Sequence, residues 1–123
     1  MPLIQGVAQR LPVATACDLF AGTTRVGQAL RRSGLEVVSN DLATYSEVLG
    51  QAYIVADEDV DRVKLRRLLT ELSSLPPQPG YFTQAFCEQA RYFQPQNGAR
   101  IDAIRTAIDQ LDVDPIERGM LLT

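Results

Sequence analysis

The chain has no histidine among its 123 residues. That absence excludes serine or cysteine nucleophiles activated by imidazole, and it excludes any zinc site that needs a histidine ligand. Hydrolase chemistry of that kind is therefore not expected. There are two cysteines, Cys17 and Cys87, far apart in sequence, so neither a redox pair nor a metal knuckle is suggested and no metal site is expected. Reduced thiols and a cytoplasmic location follow. No apolar run reaches membrane-spanning length, and Met1 to Leu11 lacks the apolar core of a signal peptide. Excess positive charge is missing too. A formal net charge of −3 is unlike a free-standing nucleic-acid-binding module, so phosphate contact would have to come from local patches. Internal repeats and low-complexity tracts are absent.

What is present begins with Asp18-Leu-Phe-Ala-Gly-Thr-Thr-Arg-Val-Gly27, which reads as a strand end, a glycine turn and a helix start. Ala14 to Phe20 is small, β-branched and aromatic enough for a buried parallel strand. Val26, Ala29 and Leu30 then form an apolar helical stripe. Leu35 to Asn40 is a second strand, and it ends at Asp41, where a carboxylate could accept hydrogen bonds from both hydroxyls of a ribose. The order is that of a nucleotide-binding half of a Rossmann-like sheet.

The glycine pattern Gly22-x-Thr24-x-x-Gly27 replaces the middle glycine of the dinucleotide fingerprint with a residue bearing a Cβ, which makes close approach of a pyrophosphate less comfortable. Asp18 points the same way. A carboxylate beside a pyrophosphate loses Coulomb energy, whereas beside an amino-acid ammonium it gains it. S-adenosylmethionine carries such an ammonium together with a ribose. Two other readings stay open: an NAD-type dinucleotide-binding Rossmann fragment, whose acid about twenty residues on would be Asp41, and a non-catalytic interaction domain. Helix capping alone would account for Thr23 and Thr24, and Asp41 could cap a helix beginning at Leu42.

Elsewhere the periodicity predicts helices over Leu3 to Leu11; over Leu42 to Ala56 with Leu42, Tyr45, Val48, Leu49, Ala52 and Tyr53 inward; and over Asp57 to Ser74 with Val60, Val63, Leu65, Leu68, Leu69 and Leu72 inward. Arg62, Lys64, Arg66 and Arg67 read as a solvated helix surface, given the i,i+4 pairs Glu58/Arg62 and Arg67/Glu71. Pro76-Pro-Gln-Pro-Gly80 breaks the chain and divides residues 1–75 from residues 76–123. A helix over Thr83 to Phe93, a turn at Gln94 to Gly98, and an apolar repeat at Ile101, Ile104, Ala107, Ile108 and Leu111 are expected next. Asp114, Pro115 and Glu117 combine an N-cap, a first-turn proline and a capping-box acid. Only two strands are convincing, so the short sheet's edge needs covering by helices, by a second copy of the chain or by further protein, and self-association is expected.

Asp18 to Leu30, then Val37-Val-Ser-Asn-Asp41 with Tyr45 and Ser46, resemble the amino-terminal half of a DNA adenine-N6 methyltransferase of the Dam-like class. Tyr81-Phe82, Arg91-Tyr-Phe93, Asn97 to Asp102 and Ile104-Arg105 are similar to the helical segment that this family carries before its catalytic loop. The resemblance implies an α/β chain with a partial Rossmann-like S-adenosylmethionine methyltransferase fold, in which two parallel strands are followed by a mainly helical remainder. It implies a cofactor site in which Asp18 and Phe20 shape the methionine side, Ala21 and the backbone amides of Gly22, Thr23 and Thr24 approach the cofactor, and Asp41 binds ribose. Double-stranded DNA is the implied partner of the full-length enzyme, with Arg91, Arg100 and Arg105 in its DNA-facing region and the target adenine swung out of the duplex. The family's Asp-Pro-Pro-Tyr-like loop is missing: Leu75-Pro-Pro-Gln78 lacks the acid and the aromatic, and Asp114-Pro-Ile116 lacks the second proline. The upstream glycine-lysine segment is not recognisable either. The expectation is an interior portion of a larger enzyme, which holds part of a cofactor site and cannot transfer a methyl group unaided.

Overall fold

The structure is a computed structural model that describes residues 2–57 and 59–123. By contacts the chain divides into two compact units. One takes the chain up to Val60 together with Asp114–Leu121 and Thr123, and the other takes Asp61–Val113 with Leu122.

In the first unit, strand β1 (Thr15–Asp18) pairs in parallel with β2 (Glu36–Ser39), in the register Thr15 to Glu36 through Asp18 to Ser39. Helix α2 (Arg25–Arg32) makes the crossover that a parallel pair requires. It buries Gly27, Ala29 and Leu30 against one face of the sheet. Helix α1 (Pro2–Ala8) is shorter than the apolar pattern suggested, and its neighbour is α2, where Gln5 Nε2 donates to the Ala29 carbonyl at 3.3 Å. The expectation of a buried β1 does not hold. Both strands alternate between exposed and half-buried residues, and Cys17 and Val38 are exposed. The helices that pack on the sheet leave those side chains on an open face.

Helix α3 (Thr44–Gly50) runs directly into a π-helical turn, Gln51–Val55. The expected inward stripe is corrected here. Leu42 is fully exposed, Tyr45 and Tyr53 are exposed, and the buried positions are Ser46 and Ile54. Leu42 lies before the start of α3, and beyond Gly50 the π turn closes i→i+5 bonds, so it rotates each later side chain, Tyr53 among them, away from the face that a 3.6-residue period assigns. Helix α6 (Pro115–Leu122) starts as the sequence indicates: Glu117 N–H donates to Asp114 Oδ1 at 2.8 Å and the Glu117 carboxylate accepts from Asp114 N–H, a complete capping box.

In the second unit, helix α4 (Arg62–Ser73) begins later than expected because Asp61 caps it, accepting from the Val63 and Lys64 N–H groups. Leu65, Leu68 and Leu72 are buried, but Val63 is 82% exposed and Leu69 is also exposed, so the inward set is narrower than predicted. Arg67 pairs with Glu71 at 3.6 Å on the surface. The other expected pair involves Glu58, which lies outside the described residues.

A π-helical segment, Thr83–Gln89, replaces the expected α-helix to Phe93; Arg91, at φ 57°, and Tyr92 and Phe93 lie beyond it. The expected turn at Gln94 to Gly98 is helix instead. Gln94 is the N-cap of α5 (Pro95–Gln110) and Pro95 stands in its first turn, where a missing N–H costs nothing. Asp102 on α5 ties the proline-rich segment down, accepting from Gly80 N–H at 2.8 Å, Phe82 N–H at 2.9 Å, Thr83 N–H at 2.8 Å and Thr83 Oγ1–H at 2.7 Å. Among the described residues no helix is long and apolar enough to cross a membrane.

Candidate functional site

The candidate site lies at the carboxyl ends of the two parallel strands. In open α/β sheets this is the end where ligands bind. The chain leaves β1 at Asp18, passes Leu19 and Phe20, and turns through Ala21, Gly22 and Thr23 into α2. Gly22 at φ 51° and Thr24 at φ 59° both sit in the left-handed region. Glycine adopts that conformation freely, whereas a β-branched threonine there is strained and must be held by its surroundings. Thr24 is fully buried, and its hydroxyl donates to the Thr23 carbonyl at 2.7 Å and accepts from Gln28 Nε2 at 2.9 Å. It occupies the N-cap position of α2 without making a side-chain cap bond, so simple capping does not account for it.

The two strand ends are stitched together. Ala21 N–H donates to the Asn40 carbonyl at 3.0 Å, Asn40 N–H to the Asp18 carbonyl at 2.8 Å, and Asn40 Nδ2 to the Leu19 carbonyl at 3.1 Å. Asp41 follows. Its Oδ2 accepts from Gly22 N–H at 2.8 Å and its Oδ1 from Ala43 N–H at 2.9 Å. The hydrogen bonds from Ala43 and then Gly22 hold the Asp41 carboxyl below the ordinary carboxylate value. Its side chain remains exposed, so it is an ionised acceptor open to solvent.

Of the seven residues singled out from the sequence, the fold brings Asp18, Ala21, Gly22, Thr23, Thr24 and Asp41 to this one strand end. Ala21 is buried beneath the turn, Asp18 is half-buried, and Thr23 and Asp41 are exposed. Phe20 stands away from the protein at 90% exposure. The turn amides are not all free. Gly22 N–H serves Asp41 and Thr24 N–H serves the Ala21 carbonyl at 2.7 Å. Open donors at this end are therefore sought at Thr23 and in the first turn of α2, whose N–H groups have no intrahelical acceptors.

Beside Asp41 lies a cleft of about 420 Å³, bordered by Val37, Ser39, Asn40, Ser46, Glu47 and Gln51 among others. Sequence reasoning missed the cleft because Ile54 reaches it through the π-helical turn, while Ser46 lines it from α3. Ser39 was missed as well, because only the pairing register sets it beside Asp18. Arg62, Arg66 and Arg67 border a shallow depression on α4, while Arg105 pairs with Asp109. Tyr92 is exposed, and Phe93 packs its ring 5.3 Å from that of Phe82.

The type II methyltransferase M.NlaIII of Neisseria lactamica is 38% identical over 98 residues, covering 76% of this chain and 29% of that protein. The type II methyltransferase M.CviAII of Paramecium bursaria Chlorella virus 1 is 31% identical over 100 residues, with the same shares. The chain thus spans under a third of the length of these relatives. No solved structure matches it significantly. Residues 2–121 match the family described as D12 class N6 adenine-specific DNA methyltransferase, and the chain belongs to that family.

Proposed function

We propose that the chain supplies the cofactor-holding part of a site-specific DNA adenine-N6 methyltransferase, which transfers a methyl group from S-adenosylmethionine to adenine in double-stranded DNA. The observation that carries this reading is Asp41 drawn onto the glycine turn by Gly22 N–H at the carboxyl end of two parallel strands. That geometry is consistent with a Rossmann-like methyltransferase sheet in which an ionised acid meets a ribose beside a glycine turn.

In this reading Asp18 faces the ammonium of the cofactor, exposed Phe20 closes over its methionine side, and Thr23 with the first turn of α2 supplies N–H donors. Asp41 accepts from the ribose hydroxyls. Residues 1–75 form the cofactor segment and residues 76–123 the helical segment that precedes the catalytic loop. The enzyme works in the cytoplasm with its thiols reduced. Further protein, or a second copy of the chain, covers the open sheet face. The acceptor amine would be positioned by an Asp-Pro-Pro-Tyr-like loop that these 123 residues do not contain. The chain alone accordingly binds cofactor without turning it over.

Calorimetric titration with S-adenosylmethionine and, separately, with NAD tests this. Heat of binding with the sulfonium nucleoside and none with the dinucleotide is expected. Binding of NAD alone, or of neither, would refute the reading. Tritium transfer from labelled S-adenosylmethionine to duplex DNA by this chain alone would refute the claim that it lacks turnover.

A further inference from the structure

We propose that Ser39 is the positioning residue for Asp18, its hydroxyl supplying the hydrogen bond that fixes the inner oxygen of that carboxylate. The inference rests on the cofactor reading above and deepens it. The parallel register sets Asp18 beside Ser39. Side chains of a strand alternate between faces, and here Asp18 and Ser39 are half-buried whereas Cys17 and Val38 are exposed. Both therefore point to the side covered by α2. The packing agrees: a Cβ placed on Gly27 of α2 would lie 3.2 Å from Ser39 Oγ.

Asp18 Oδ2 and Ser39 Oγ are both shut off from solvent, and neither has a hydrogen-bond partner. Two such oxygens on register partners are uncommon, because a buried polar atom without a partner forfeits about 1–3 kcal/mol of solvation. An ionised carboxylate can only accept, and a serine hydroxyl can both donate and rotate. Of this pair only Ser39 can provide the proton; the two oxygens are not bonded to each other in this structure, and a change of the serine rotamer or one bridging water molecule closes the contact. With its inner oxygen so engaged, the Asp18 carboxylate keeps a single orientation, and the rest of the group is presented at the strand end where the ammonium is placed. Ser39 touches no ligand itself and acts through Asp18.

The test compares two stable probes on the full chain. S-adenosylhomocysteine carries the ammonium, and 5′-methylthioadenosine lacks it. Ser39→Ala is expected to weaken binding of the first about fivefold to tenfold and to leave binding of the second unchanged. In an Asp18→Asn background Ser39→Ala is expected to add nothing, because coupled residues are non-additive. Ser39→Thr, which keeps the hydroxyl, should retain the preference for the ammonium-bearing probe. If Ser39→Ala does not fold, Ser39→Cys, a weaker donor of similar size, carries the same comparison. Equal weakening of both probes, additivity with Asp18→Asn, or no change in either affinity would overturn the role of Ser39 and leave the cofactor reading standing. Failure of the unaltered chain to bind either probe would overturn both.

Discussion

Gly98→Ala is expected to destabilise the unit built from α4, the π-helical segment Thr83–Gln89 and α5, although alanine is the better helix former. Gly98 lies inside α5 and is buried there. Two effects oppose each other. Removing glycine from a helix interior gains about 0.5–1 kcal/mol. Against that, the new methyl would overlap Cys87 Sγ outright and sit 3.0 Å from Thr83 Oγ1 and 3.1 Å from the Thr83 Cα. Overpacking of this kind typically costs about 1–3 kcal/mol. Relief is not available at Thr83, whose N–H and hydroxyl are both bound to Asp102, and the thiol of Cys87 is itself buried. The overlap should win by roughly 1–2 kcal/mol. Thermal unfolding followed by circular dichroism should then show Tm lowered by about 4 °C or more. In a Cys87→Ala background, which removes the worst overlap, the same substitution should cost at least about 0.5 kcal/mol less. An unchanged or raised Tm for Gly98→Ala, or strict additivity with Cys87→Ala, would refute the packing argument.

Asp102 offers a pH-dependent check on the same unit. Its partial desolvation pushes the carboxyl up, but the hydrogen bonds from Thr83, Phe82 and Gly80 together hold it below the ordinary value. A depressed carboxyl stabilises the fold in full above the unfolded value, about 3.9, and loses that contribution as pH falls through the folded value. The urea midpoint of the unaltered chain should therefore exceed that of Asp102→Asn near neutrality and converge on it in acid; a constant gap would contradict this. For α6, Asp114→Ala removes the capping box and should cost about 1 kcal/mol. Faster amide exchange at Glu117 is the expected signature, and unaltered protection along α6 would count against the cap.

Much of the strand-end architecture was legible because each piece has a local cause. Gly22 sits where a left-handed turn is needed, Val26, Ala29 and Leu30 repeat at helical spacing, and Asp41 ends a β-branched run. The capping box at Asp114 and Glu117 could be read directly for the same reason. The misreadings have tertiary or geometric causes. A strict helical period mis-assigned Tyr53 because α3 passes into a π turn whose bonding shifts the phase, and Leu42 because α3 begins only at Thr44; Tyr45, in the first turn of α3, is exposed as well. The proline and glycine of Gln94 to Gly98 look like a turn, but Pro95 suits a helix start and Gly98 answers to Cys87 and Thr83 across the packing interface. The small, β-branched and aromatic residues of Ala14 to Phe20 suit a buried strand, which β1 is not. Composition does not say how many faces this stretch of chain can cover, and the sheet face bearing Cys17 and Val38 stays open. The pairing of Asp18 with Ser39 depends on register, which no single strand reveals.

Both oxygens of Asp41 are already engaged by main-chain donors, one in the turn after β1 and one in the stretch leading to α3. Each oxygen keeps a second lone pair. Any hydroxyl that docks there consequently meets an acceptor whose aim was set by the backbone before arrival, and little entropy remains to be lost on contact. The clasp also works in reverse: slackening the acid would loosen the loop, so shape and recognition at this corner stand or fall together.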